Sequence, residues 1–194
     1  MQKAPDQLKT TAAGRRPRGP RQFGRDRSGA SALEFALVAV PLILLLLAIL
    51  QIGLVFFANF VLEHATAQGA RLIRTGQAQN QGFDAAAFRN EVCKYLTAPL
   101  SCAGLKLDVR RFKNFSSTAL TNPLDASGAL KTSFSYDPGV GGDVVVVRGF
   151  YEFDIPGLMP IEISMSNMQG GSRVLIATAA FRNEPFQTTS SSSP

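Results

Sequence analysis

Between Glu34 and Glu63 the chain runs for 28 residues without a charge. Residues 35–60 read FALVAVPLILLLLAILQIGLVFFANF and are apolar at every helical phase, which separates them from an amphipathic surface helix. About 20 such residues cross the hydrocarbon core of a bilayer, so the run predicts a membrane-spanning helix over about 36–60. Gln51 is the one strongly polar side chain in the central part of the run, and Phe56, Phe57 and Phe60 add bulk at its end. The helical pattern then continues: Leu62, Ala65, Gly69, Leu72 and Ile73 recur at helical spacing with Glu63, Gln68, Arg71 and Arg74 between them. Gly76 is a natural stop, so one long helix is expected over 30–76, about 69 Å from residue 30 to residue 75. Pro41 leaves the carbonyl of Leu37 without its donor and predicts a kink or weak point there.

Beyond residue 76 the periods change. Residues 84–97 read as a helix capped by Asp84, with Ala85, Phe88, Val92, Tyr95 and Leu96 on one face. Three strands are expected. The first covers 105–112, where Leu105, Leu107 and Val109 alternate with Lys106, Asp108 and Arg110. The second covers 143–155, with Val145, Val147, Tyr151, Phe153 and Ile155 on one face and a bulge at Gly149. The third covers 173–182 and is apolar enough on both faces to be central. The segment 114–142 is rich in Ser, Thr, Gly and Pro and reads as a long functional or mobile loop. Residues 187–194 read as a disordered tail. Long helix, further helix and a small antiparallel sheet make an α+β plan over a domain at 77–186.

Charge decides how the helix lies in the membrane. The chain has a net charge of +6, and residues 1–29 hold all of it, with eight basic groups against two acidic ones. A basic leader beside an apolar run stays on the cytoplasmic side, so the domain after the helix is expected to be periplasmic. Alone, the Arg/Gly/Pro-rich stretch 14–27 would pass for a nucleic-acid-binding tail; the apolar run that follows assigns it to membrane orientation instead, and no nucleic-acid partner is expected. A secretory signal peptide is the competing reading. The run is too long for one, and no small-residue cleavage site follows it.

Gly29-Ala30-Ser31-Ala32-Leu33-Glu34-Phe35 is the most informative stretch. A carboxylate this close to a membrane span is costly. Scission after Gly29 would supply a counter-charge, the new ammonium of Ala30, beside the open amides of the first helical turn. The plainer alternative is that Glu34 sits at headgroup level and accepts bonds from that turn. Gly29 with Glu34-Phe35 resembles the processing site of prepilins, which a peptidase cuts after the Gly. The wider stretch from 25 to about 80 resembles TadE-like proteins, minor pseudopilins of the tight-adherence (Flp/Tad) pilus machinery. Residues 177–186 (ATAAFRNEPF) are similar to the end of such domains. The resemblance implies a pilin-like plan, a cleaved leader, residence in the bacterial inner membrane and no catalysis. It implies as partners a prepilin peptidase, other pilin-like subunits and the Tad inner-membrane machinery. Type II secretion pseudopilins usually begin the mature chain with Phe; Ala30 stands here instead, which favours the Tad system.

Cys93 and Cys102 are the only thiols, and in an exported compartment the pair is expected to be oxidised. Two Cys and a remote His64 do not make a metal site, no cofactor is implied, and no catalytic constellation appears. The reading from another class is an uncleaved, single-pass periplasmic binding or sensor module.

Overall fold

A computed structural model describes residues 29–117, 120–155, 167–168 and 172–186. The expected leader, apart from Gly29, and the expected tail lie outside the described residues. The elements run α1 (Ala30–Arg74), α2 (Gln77–Asn80), α3 (Ala85–Cys93), β1 (Leu105–Phe112), β2 (Val144–Asp154) and β3 (Ser172–Arg182). The chain divides into two units, Met1–Ile43 and Leu44–Pro194. In the first, the opening turns of α1 expose Leu33, Phe35, Leu37, Val38 and Val40. The helix is continuous through Pro41.

In the second unit α1 acquires a buried stripe that begins at Gln51 and runs through Val55, Ala58, Leu62, Ala65, Thr66, Gly69 and Ile73. These positions recur at three- and four-residue intervals, which places them on one helical face. α1 ends as expected: Gly76 takes the left-handed conformation at φ 78°, and its amide bonds the carbonyl of Ile73. The four-residue α2 that follows was not legible in the sequence. α3 starts where expected, with Asp84 Oδ1 accepting the Ala87 amide at 2.7 Å, but it ends at Cys93 instead of continuing to residue 97. The amides of Tyr95 and Leu96 turn to i−3 carbonyls, and this tightening closes the helix before Pro99.

The sheet is antiparallel in the order β1-β2-β3. Two expectations are corrected here. β2, not the 173–182 strand, is central, and its run of Val144–Val147 with Phe150 is buried on both faces. Gly149 is not a bulge: it pairs in regular register with Leu107 on one side and Ala177 on the other. Its role is close approach. A Cβ there would collide with Thr66 Oγ1 of α1. Gly69 on the same buried face of α1 allows a second close approach, since a Cβ there would lie 2.6 Å from Val92 Cγ2 and 3.1 Å from Phe88 Cζ of α3. The buried face of α1 thus packs on both β2 and α3, with Gly149 of the strand and Gly69 of the helix allowing the two close contacts.

The 114–142 segment carries no α-helix or strand among its described residues, yet it is tied to the sheet. Tyr136 forms a parallel bridge with Val109 of β1, and within the segment Leu124 forms an antiparallel bridge with Leu130. Leu130 joins Phe150 and Val174 in a second small core on the face away from α1, where Phe134 stacks on Phe150 at 5.0 Å.

Candidate functional site

At the start of α1 the candidate residues are local and open. Gly29 directly precedes the first helical residue, Ala30, and Glu34 and Phe35 follow within the next two turns. All four are exposed, Phe35 at 74%. A Cβ built on Gly29 meets nothing within 4 Å, and Gly29 does not have a positive φ. The described residues therefore place no steric demand for glycine at this position. No residue distant in sequence is needed to assemble this site.

The other end of α1 is assembled by tertiary contacts. After β3 the chain returns to the helix end: the Glu184 amide donates to the carbonyl of Arg74 at 2.9 Å, and the two side chains pair at 3.3 Å. Phe186 packs over Gly76, where a Cβ would lie 2.5 Å from the ring. Asn183 is buried and its Nδ2 donates to the carbonyls of Pro138 and Val140 at 3.0 Å. Residues 183–186 thus tie the end of α1 to the 138–143 turn. A groove of about 670 Å³ remains between this helix end and β3, floored by Ala67, Ala70 and Ala179 and flanked by Arg71, Arg74 and Glu184. Its titratable groups are two guanidinium groups and a carboxylate already paired with one of them, which is no acid–base couple.

The titratable group the fold treats most specially was read in the sequence only as a polar strand position. Asp108 on β1 is fully buried against Arg148 on β2, with Nη2 at 2.5 Å and Nε at 3.2 Å from Oδ2. Arg110 and the Ser135 amide donate to the same carboxylate at 3.0 and 3.1 Å. Burial pushes the Asp108 carboxyl up, but the hydrogen bonds from Arg148, Arg110 and Ser135 outweigh it, and the net shift is below the usual carboxylate value. Arg148 Nη1 also donates to the carbonyl of Thr121 at 2.9 Å, and its guanidinium lies 5.2 Å from the Phe150 ring centroid. This cluster anchors the 114–142 segment, with Asp108 and Arg148 buried at its centre and Arg110 partly exposed at its edge. Tyr136 is pushed up to about 12, by burial first and then by the charge of Asp84, so its phenol stays protonated at neutral pH.

Cys93 and Cys102 are joined by a disulfide with Cα atoms 5.4 Å apart. His64 is exposed and its ring meets Tyr95 edge-on at 6.3 Å. Among the described residues no group of three or more His, Cys, Asp or Glu is placed to hold a metal ion.

The open helix start and its apolar continuation coincide with a known family. Residues 29–71 match the model of the TadE-like protein family. The match begins at Gly29 itself and runs through the apolar helix to the turn that carries Arg71. The apolar helix that carries most of this match is long enough, by length and composition, to cross a membrane once. Residues 72–194 lie beyond the TadE-like match. No curated protein and no solved structure matches the chain.

Proposed function

We propose that this chain is a membrane-anchored minor pseudopilin that takes part in assembling a Tad/Flp-type adhesive pilus. It acts without catalysis, by packing of its N-terminal helix and by contacts of its periplasmic domain. In this reading the leader is cytoplasmic, α1 crosses the inner membrane, and a prepilin peptidase cuts between Gly29 and Ala30. The observation that supports it most is the coincidence of the family match with Gly29. A Cβ at Gly29 would meet nothing among the described residues, so the backbone there is open to a partner that must reach it, and a peptidase is such a partner. After scission the ammonium of Ala30 and Glu34 give opposite charges within about one helical turn, able to pair between neighbouring subunits.

The test is mass spectrometry of the N-terminus in cells that contain the peptidase, with surface pili counted in parallel. Wild-type protein should begin at Ala30. A bulky residue at Gly29 should leave a membrane-bound precursor heavier by the leader. Glu34→Ala should be cut yet assemble poorly. A wild-type chain that still begins at Met1 would end the pseudopilin reading and leave an uncleaved periplasmic binding or sensor module.

A further inference from the structure

The apolar run and the folded domain overlap on α1. The buried stripe starts at Gln51, so from there one face of the helix is covered by protein. The opposite face stays apolar for about two and a half more turns: Ile52, Phe56, Phe57 and Phe60 are 42%, 71%, 50% and 65% exposed. The two faces of one helix therefore disagree about where the apolar environment ends. The covered face leaves it at residue 51 and the open face at residue 60, about 13 Å further along at 1.5 Å per residue. Four large exposed side chains on one flank make a patch that water does not favour.

The character of the open face changes sharply after Phe60. Asn59 Nδ2 donates to Glu63 Oε1 at 2.6 Å, His64 lies beside the half-exposed Tyr95, and Arg71 and Arg74 follow. Apolar rings, then an amphipathic Tyr and His, then charge is the order of layers met on leaving a bilayer. We infer that the domain does not stand clear of the membrane but is seated in its outer interface, with Ile52, Phe56, Phe57 and Phe60 in contact with lipid and the water boundary at Asn59–His64. The patch is continuous with the apolar run before it, which favours lipid over a separate protein partner. Glu152 and Asp154, exposed near the end of β2, limit the depth: the seat is at headgroup level and not in the hydrocarbon centre. This inference rests on the membrane-anchored reading.

The chain contains no Trp, so one introduced Trp reports alone. Full-length protein carrying Leu45→Trp, Phe56→Trp, Phe60→Trp or Arg71→Trp is reconstituted in phosphatidylcholine vesicles brominated at shallow or deep acyl positions. Parallel samples in unbrominated vesicles receive aqueous acrylamide. Each site is exposed, so the larger ring has room. Leu45→Trp should lose emission to deep bromines. Phe56→Trp and Phe60→Trp should lose it to shallow bromines and resist acrylamide, whereas Arg71→Trp should do the reverse. Acrylamide quenching of Phe56→Trp and Phe60→Trp with no response to bromines would overturn the seat. Protection from both quenchers would overturn it in favour of a protein cover, such as a second copy. If Leu45→Trp also escapes the bromines, the anchored reading itself fails.

Discussion

The carboxylate of Asp108 accepts hydrogen bonds from two guanidinium groups and one backbone amide while fully buried. Removing it strands Arg148, which is 5% exposed, without its ionic partner. Breaking a buried pair from one side costs about 3–5 kcal/mol, because the remaining charge stays desolvated. Asp108→Ala is therefore expected to lower the urea midpoint of the detergent-solubilised protein by that amount of stability, and to loosen the 114–142 segment in hydrogen exchange. The pH dependence has a defined sign. The folded pKa lies below the ordinary 3.8, so the contribution is complete above that value and is lost as pH falls through the folded value. The difference in stability between wild type and Asp108→Asn should stay constant from neutral pH down to about 4 and shrink below it. A difference that shrinks between pH 7 and 5 would contradict the assignment. Alternation along β1 put Asp108 beside Lys106 and Arg110 on the polar face, and that placement was right. What the alternation could not reveal is that a segment some 25 residues downstream covers this face.

At the scale of elements, the contact of α1 with β2 depends on Gly149 opposite Thr66. Gly149→Ala would force the new methyl into Thr66 Oγ1 from a strand paired on both sides, and overpacking of this kind costs about 1–3 kcal/mol. The Thr66 hydroxyl is buried and has no hydrogen-bond partner among the described residues. Thr66→Ala alone should thus cost little, and in the double variant it should recover much of the Gly149→Ala loss. Denaturation midpoints of the four proteins give the coupling directly; additive losses would show that the two residues do not meet. Glycine within a strand pattern is compatible with a bulge or with close approach of another backbone, and sequence alone does not choose between them. The same limit explains the strand order. Both 144–154 and 172–182 are apolar on parts of both faces, and only the pairing shows that β3 is an edge whose Ile176 is 46% exposed.

For the whole molecule, the disulfide closes the turn between α3 and β1. A bridge over so short a loop stabilises by about 2.5 kcal/mol in the chain-entropy model. The Cys93→Ala/Cys102→Ala double variant should remain folded with a correspondingly lower urea midpoint, and protein denatured without reductant should present no thiol to an alkylating label. Two labelled thiols would refute the bridge. Arg89 lies in the same corner. Its Nε donates to the carbonyl of Leu105 at 2.9 Å and its Nη2 to that of Cys102, so the corner keeps a second tie when the bridge is absent.

The uncharged run, the basic leader, the helix stop at Gly76, the cap at Asp84 and the three strands were all legible in the chain, because each is written in neighbouring residues. The segment from Gly29 to Phe35 is likewise contiguous in sequence, and its residues are exposed among the described residues. Periodicity states which side chains share a face; it does not state what covers that face or how closely. The burial of Asp108 and Arg148, the use of Gly149 and Gly69 as contact points, the central place of β2 and the protein cover on α1 from Gln51 onward depend on residues far apart in sequence. Those were decided only when the sheet and α3 packed on one face of the helix and the 114–142 segment packed on the far face of the sheet.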